Sequence, residues 1–136
     1  MIMHRLETIL LIDDDFTTNF LHQKIISKTE IDTPVEVTNN ASEGLDKLLE
    51  LNETIDDHSA LVLVFLDLNM PLLDGWGFLE IFKEMKLNFQ IHLFIVSASI
   101  NPDDKTRAKS YPQVNGYLQK HLTVPTFRQL TKDYSC

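Results

Sequence analysis

Residues 61–75 read LVLVFLDLNMPLLDG, an apolar run that ends at an aspartate and continues into a segment with proline and glycine. The six apolar residues 61–66 are typical of a strand that is buried on both faces of a sheet. Asp67 follows directly, and Pro71 and Gly75 are residues that favour a turn before the next helix. The pattern therefore predicts a carboxylate at the carboxyl end of a central strand.

Four more segments have the apolar pattern of strands, and segments with helical spacing lie between them. The further predicted strands are residues 9–12, 35–37, 93–96 and 116–118. The predicted apolar helix faces are Phe20, Leu21 and Ile25, then Ala41, Leu45, Leu48 and Leu49, then Phe78, Leu79, Phe82 and Met85. Asn101 before Pro102 and Thr123 before Pro125 predict the starts of two more helices.

This alternation predicts an α/β fold with five strands and five helices in one domain over residues 1–136. Parallel neighbours need right-handed crossovers, and helices of this length provide them, so the sheet is expected to be parallel and covered on both faces. The polar segment 52–60 is predicted to be a loop. Asp74 and Gly75 are predicted to open the third helix, with the glycine supplying conformational freedom. Trp76 is expected to be partly exposed and Phe78 to lie in the core.

Polar side chains follow the predicted strands at one edge of the sheet. Asp13, Asp14, Asp67, Ser97 and Lys120 each come at the end of a strand. In a doubly wound sheet, sites form outside the carboxyl ends of the strands. Crowded carboxylates repel each other and their pKa values rise unless a cation neutralises them. Oxygen ligands of this kind suit Mg²⁺, which is commonly held by one or two carboxylates and a substrate phosphate.

The composition of the chain argues against several kinds of partner and location. The chain has 136 residues, with 20 Asp and Glu against 12 Lys and Arg, so its field repels nucleic acid and anionic lipid. Cys136 is the single cysteine, which excludes an internal disulfide and favours a reducing cytoplasm. No stretch approaches the roughly 20 apolar residues of a membrane span, and residues 1–7 lack a signal peptide's apolar run.

Together, IDD at residues 12–14, DLNMPLLDG at 67–75, SA at 97–98 and Lys120 resemble the motifs of response regulator receiver domains. The gaps of thirty residues from Asp67 to Ser97 and of twenty-three from Ser97 to Lys120 agree with that family. The resemblance spans nearly the whole chain. It implies a flavodoxin-like (βα)5 three-layer sandwich whose strands are ordered 2-1-3-4-5.

The resemblance also implies a role for each motif residue. Asp67 would be the nucleophile that becomes an aspartyl phosphate. Asp14 would bind Mg²⁺ directly, Asp13 mostly through a metal-bound water, and Asn69 through its backbone carbonyl, with Asp67 completing the protein ligands. Lys120 would stabilise charge on the phosphoryl oxygens. The protein would catalyse only its own phosphorylation and slow self-dephosphorylation, so it is not expected to be an enzyme acting on other substrates.

The switch residues implied by the family are Ser97 and Tyr117. The phosphoryl group adds a charge of about −1.5 to −2 with strong acceptor oxygens, and Ser97 would move toward it. Tyr117 would turn inward into the vacated space and change the surface around the fourth helix and fifth strand. Asp15, next to the acid pair, is expected to be a solvated residue at a helix start.

The implied partners are a histidine kinase or a histidine phosphotransfer protein and a downstream protein target. Helix one, with Asn19, Phe20 and Lys24, is the expected docking face. With 16 residues after Lys120, enough for one short helix, no output domain is expected. No nucleic acid or membrane partner is expected, and the chain is expected to be a monomer or weak dimer.

Two features depart from the family pattern. His121 stands after Lys120 where the family usually has proline, often in a cis peptide bond, and a non-proline cis bond costs roughly 2.5–4 kcal/mol, which leaves cis and trans open. The stretch between Asp14 and Asp67 is also longer than is common, and the excess is assigned to the loop near residues 52–59. The histidines are interpreted as ordinary residues without ligand spacing: His4, His22, His58, His92 and His121.

Other functions stay open at this point. Taken alone, the Asp triplet is more often a solvated loop or helix cap than a metal site. Asp67 with Asn69 also resembles half of a haloacid-dehalogenase-type phosphatase motif, although the second half is missing. A hydrolase would need a general acid or base and a substrate pocket, and no motif supplies either. A receiver-like scaffold that works without phosphorylation is the main alternative, and it predicts loss of the acceptor, acid pair or lysine.

Overall fold

The computed structural model describes residues 4–99 and 101–134, in which five strands alternate with five helices. The strands are β1 (Arg5–Ile12), β2 (Val35–Thr38), β3 (Ala60–Leu66), β4 (Gln90–Ser97) and β5 (Val114–Gln119). The helices are α1 (Phe16–Ser27), α2 (Ala41–Thr54), α3 (Gly75–Phe82), α4 (Pro102–Ala108) and α5 (Val124–Thr131). All neighbouring strands are parallel, in the order β2-β1-β3-β4-β5. The predicted doubly wound, flavodoxin-like α/β fold is therefore confirmed.

Strand β3 is the centre of the sheet, and every one of its residues is buried. Its side chains alternate between two cores, because successive residues of a strand point to opposite faces. Val62, Val64 and Leu66 pack in the core that contains residues of α2, α3 and α4. The alternate residues of β3 pack with Ile26 of α1 and Phe127 of α5. Burial on both faces explains the continuous apolar run of residues 61–66.

Each helix begins at a side chain that caps its first turn. The caps are Asp15, Asn40, Asp74, Asn101 and Thr123, and each accepts a hydrogen bond from a backbone N–H two or three residues later. A cap of this kind contributes about 1 kcal/mol, and it ends the loop at a defined residue. The predicted helix starts at Asn101 and Thr123 and the predicted role of Asp15 are confirmed.

The buried face of α1 differs from the predicted one. Phe20 and Leu21 are 49% and 41% exposed, whereas the buried residues of the helix are Thr18, Asn19, His22 and Ile26. Apolar spacing located the helix correctly, and Ile25 packs against the core as predicted, but Phe20 and Leu21 lie on the exposed side. Asn19, which was expected on a docking surface, lies inside the protein.

Two further expectations are wrong in detail. Helix α2 continues to Thr54, so the first residues of the predicted loop 52–60 are helical, and β3 already begins at residue 60.

Trp76 is buried rather than partly exposed. Its ring stacks with Tyr111 at a centroid distance of 6.0 Å, and the Arg107 guanidinium lies 4.4 Å from its centroid. Both partners lie after the end of β4, about thirty residues or more from Trp76 in sequence.

Among the described residues, no helix is both long and apolar enough to cross a membrane. The longest one, α2, has 14 residues, fewer than the roughly 20 that a membrane-spanning helix needs. Cys136, the single cysteine, lies outside the described residues.

Gly75 is required for space rather than for backbone freedom. No glycine in the described part of the chain has a positive φ, which corrects the expected reason for this residue. A Cβ atom at Gly75 would lie 2.7 Å from the backbone oxygen of Asp67 and 2.8 Å from the Cα of Leu68. The Gly75 N–H also donates to the Leu68 carbonyl at 2.9 Å. The start of α3 is thus packed directly on the backbone that carries Asp67.

We expect Gly75→Ala to lower the free energy of unfolding by about 1–3 kcal/mol, because a methyl group pressed on backbone atoms forces α3 and the Asp67 segment apart. Urea unfolding followed by circular dichroism measures the change. Gly77→Ala is the matched control. Its new methyl would press on the Leu73 side chain, which can rotate away, and would make only ordinary contact with the Asp74 carboxylate at 3.5 Å. Alanine also favours the helix by about 1 kcal/mol. Equal destabilisation by both substitutions would contradict this explanation.

Candidate functional site

Two aspartates extend neighbouring strands at the carboxyl edge of the sheet. Asp13 follows β1 and Asp67 follows β3, and the paired residues Ile12 and Leu66 bring the two strand ends level. The Asp67 N–H donates to the Ile12 carbonyl at 2.9 Å, and the Asp13 N–H donates to the Thr38 carbonyl at 3.2 Å. These bonds continue the sheet by one residue on each strand. Both carboxylates are therefore held by regular sheet geometry rather than by a loop.

Lys120 reaches the same place from β5. Its backbone N–H donates to the Ser97 carbonyl at 2.9 Å. Its Nζ lies 2.7 Å from Asp13 Oδ2 and 3.3 Å from Asp67 Oδ1, and these three side chains are only 12%, 7% and 5% exposed. A buried ammonium between two buried carboxylates neutralises part of their charge. The predicted meeting of Asp13, Asp67 and Lys120 is thus observed.

Asp14 completes a cluster of three carboxylates. Asp13, Asp14 and Asp67 each offer an oxygen, and these atoms lie within 4.8 Å of one another. Asp14 is exposed at the mouth of the crevice while the other two are buried, so one side of the cluster is open to solvent. Oxygen ligands that leave room for water or phosphate are the kind that Mg²⁺ prefers. The residues present therefore fit a magnesium ion; the predicted contribution of the Asn69 carbonyl stays a prediction.

The pKa values of the site reflect burial and crowding. Burial, together with the negative charge of Asp13, raises the pKa of Asp67 to about 6, although Lys120 and the Asn69 backbone N–H act in the opposite direction. Burial on its own lowers the pKa of Lys120, but hydrogen bonds and charge from Asp13 and Asp67 outweigh it, so the net pKa is raised. Lys120 is therefore a permanent cation, and Asp67 is a carboxylate in an environment that favours added positive charge.

The side chains of Ser97 and Tyr117 both form hydrogen bonds with the backbone of Ser99. Ser97 is fully buried at the end of β4, and its Oγ accepts from the Ser99 N–H at 3.1 Å. The Tyr117 hydroxyl donates to the Ser99 carbonyl at 3.4 Å, and the Tyr117 ring is half-buried. The segment after β4 therefore joins the two predicted switch residues. Their switching roles stay predictions.

The peptide bond between Lys120 and His121 is cis. The sequence, which lacks a proline after Lys120, had left this isomer open.

Asp15 takes no part in the carboxylate cluster, since its side chain accepts from the Thr17 N–H and from the Thr18 hydroxyl.

Two buried residues of α1 contact the site and were missed in the sequence. Asn19 Nδ2 donates to the Asp13 carbonyl at 2.8 Å. His22 Nε2 accepts from the Leu122 N–H at 3.2 Å, and burial, followed by the charges of His121 and Lys120, lowers the pKa of His22 to about 4. The available signal was the spacing of Thr18, Asn19 and His22 on one helix face. Apolar neighbours at Phe20 and Leu21 concealed it.

Comparisons with known proteins give a consistent result. The family model described as "response regulator receiver domain" matches residues 9–132. No curated protein sequence matches the chain significantly. Among solved structures, a two-component response regulator from Cytophaga hutchinsonii is 27% identical with a TM-score of 0.77, and covers 95% of this chain and 96% of its own.

Two other solved structures are similar over nearly the whole chain. A response regulator receiver protein from Dyadobacter fermentans is 26% identical with a TM-score of 0.79, covering 93% of this chain and 95% of its own. The Mn²⁺-bound form of response regulator Rcp1 is 25% identical with a TM-score of 0.68, covering 93% and 90%. With most of its length matched by the family model, the chain belongs to the response regulator receiver domain family.

Proposed function

We propose that this receiver accepts a phosphoryl group on Asp67 from a histidine kinase or histidine phosphotransfer protein, in a Mg²⁺-dependent reaction, and signals to protein partners through a conformational switch. The observation that carries the proposal is the buried contact of Lys120 Nζ with both Asp13 and Asp67, at 2.7 and 3.3 Å. This contact places a cation beside a buried carboxylate that opens to solvent near Asp14. Both conditions favour transfer of an anionic group.

In the proposed reaction an Asp67 carboxylate oxygen bonds to phosphorus as the bond from phosphorus to the histidine nitrogen of the donor breaks. The electron pair of the broken bond stays on the donor ring, which leaves as neutral imidazole because its other nitrogen already carries a proton or because it takes a proton from water. Lys120 stabilises the charge that spreads over the phosphoryl oxygens, and it is free to do so because esterification removes charge from its Asp67 partner. When bound, Mg²⁺ supplies further positive charge there; Asp13, Asp14, Asp67 and the Asn69 carbonyl would hold it.

The proposed switch uses the contacts around Ser99. The new phosphoryl group adds strong acceptor oxygens. The Ser97 hydroxyl can donate to them, which favours its rotation toward Asp67 and away from the Ser99 N–H. The Tyr117 hydroxyl bonds the Ser99 carbonyl, so movement of this segment also changes the environment of Tyr117. A partner that binds the two arrangements with different affinity would read the change.

Exposed apolar side chains on α1 and in the segment that follows Asp67 support docking of a protein donor. Phe16, at the start of α1, is 79% exposed, and Phe20 is 49% exposed with the Lys24 ammonium 5.4 Å from its ring centroid. Leu72, five residues after Asp67, is fully exposed. The proposed docking face therefore keeps Phe20 and Lys24 but not the buried Asn19. The net charge of −8 argues against nucleic acid as a partner.

We expect the native chain, incubated with acetyl phosphate and Mg²⁺, to gain the mass of one phosphoryl group, because the proposed acceptor Asp67 ends the central strand with the Lys120 ammonium 3.3 Å away. Intact mass spectrometry measures the addition. Asp67→Asn keeps the shape of the side chain but is not expected to gain mass. Equal addition to both chains would exclude Asp67 as the acceptor. No addition to the native chain, with or without a kinase, would favour the scaffold alternative.

We expect Asp14→Asn to weaken Mg²⁺ binding by about 10-fold or more, because it removes a charged ligand from the carboxylate cluster. Isothermal titration calorimetry with Mg²⁺, without any phosphodonor, measures the affinity. Asp15→Asn is the matched control, since it makes the same change in charge one residue away, in a side chain that caps α1. Similar losses in the two variants would show a general effect of net charge instead of ligation by Asp14.

A further inference from the structure

We propose that His22 is a positioning residue that fixes the turn after β5 and thereby aims Lys120 at Asp13 and Asp67. This inference rests on the proposed function and names a residue, remote in sequence, on which the same site depends. His22 is only 3% exposed, on the inner face of α1. Its Nε2 bonds the Leu122 backbone and not a proposed reacting group, so its effect would pass through the lysine.

The contact that carries this inference is a buried hydrogen bond across the fold. The Leu122 N–H donates to His22 Nε2 at 3.2 Å. Leu122 lies two residues after Lys120, and its own side chain is only 3% exposed. Only His121 separates Lys120 from Leu122. On its other side, the Lys120 N–H is bonded to the Ser97 carbonyl at 2.9 Å. The lysine is thus held between a sheet bond on one side and His22 on the other.

The chemistry of imidazole suits this task. Nε2 accepts a hydrogen bond only in the neutral ring with its proton on Nδ1, and burial keeps His22 neutral by lowering its pKa. The groups facing the ring include the His121 ring, whose centroid is 5.7 Å away in an edge-on arrangement. A buried backbone N–H without a partner is costly, so loss of Nε2 would move the turn toward another acceptor or water.

Neighbouring contacts of α1 show why a displacement would matter. Asn19, three residues before His22 and on the same helix face, donates to the Asp13 carbonyl at 2.8 Å. One face of α1 therefore holds the backbone of Asp13 and the backbone that follows Lys120. These are the two ends of the 2.7 Å contact between Lys120 Nζ and Asp13 Oδ2. A shift of either backbone relative to the other changes that contact directly.

The simpler interpretation is that His22 only fills space in the core, with Nε2 satisfied by the Leu122 N–H. That interpretation predicts a loss of stability on substitution, with effects on phosphorylation that do not depend on Lys120. The positioning role predicts that the effect on phosphorylation disappears once the lysine is removed. A double-mutant cycle between His22 and Lys120 separates the two.

The experiment measures the rate of Asp67 phosphorylation by acetyl phosphate at saturating Mg²⁺. The proteins are the native chain, His22→Leu, His22→Gln, Lys120→Met and the double variant His22→Leu with Lys120→Met. We expect His22→Leu to slow the reaction about tenfold, because a misdirected ammonium loses most of its stabilising effect. His22→Gln keeps an acceptor near the position of Nε2 and is expected to stay within about twofold of the native rate. In the Lys120→Met background, His22→Leu is expected to add less than about twofold.

A second readout does not depend on phosphorylation. Acetylation of Lys120 by an N-hydroxysuccinimide ester, followed by peptide mass mapping, reports how well the ammonium is held in its ion pairs. We expect several-fold faster labelling in His22→Leu and native labelling in His22→Gln. If the native chain takes no phosphoryl group but this labelling pattern appears, the proposed function fails and the positioning role stands.

Two results would overturn the inference. One is a tenfold effect of His22→Leu that persists in the Lys120→Met background, since the histidine would then act without the lysine. The other is native labelling of Lys120 in His22→Leu. If circular dichroism shows that His22→Leu does not fold, His22→Asn replaces it, because its amide reaches the position of Nδ1 but not that of Nε2.

Discussion

Two carboxylates buried at adjacent strand ends form the constraint on which the rest of the site depends. Asp13 and Asp67 lie where the sheet fixes them, and each is at least nine-tenths buried. Like charges in such a place are unfavourable unless a cation offsets them, and the Lys120 ammonium does so at 2.7 and 3.3 Å. The raised pKa of Asp67 shows that the compensation is incomplete, because burial and Asp13 outweigh the lysine. The residual imbalance makes the crevice a favourable place for a further cation.

The strand order explains why these residue types occupy these positions. β5 is separated from β3 by β4, so a side chain starting after β5 must pass over the end of β4 to reach Asp67. Neighbouring strands are about 4.8 Å apart, so the backbones of β5 and β3 are separated by roughly 10 Å, a gap that the long lysine side chain and the aspartate side chain close together. Ser97 ends β4, beneath that path. A small side chain there leaves room for the lysine stem.

Local patterns in the sequence predicted most of this arrangement, and long-range contacts account for what they missed. The five strands and the aspartates that follow them could be predicted, because burial on both faces produces continuous apolar runs and the carboxyl ends of parallel strands share one edge. The buried face of α1 could not, since Phe20 and Leu21 are exposed and polar residues face inward. His22 finds its partner 100 residues away at Leu122, and Trp76 is covered by Arg107 of another helix. No periodicity within a helix encodes such partners.

The polar inner face of α1 has a physical rationale in the difference between apolar and hydrogen-bonded contacts. Apolar packing is non-directional, so it fixes the helix against the sheet but tolerates small sliding. A hydrogen bond weakens steeply with distance and angle, so it fixes particular backbone atoms. Near the site, Asn19 and His22 bond the chain at Asp13 and Leu122, whereas at the far end of the helix Ile26 packs in the core with Phe127. The helix therefore uses directional contacts where backbone placement controls the charges and apolar contacts where it does not.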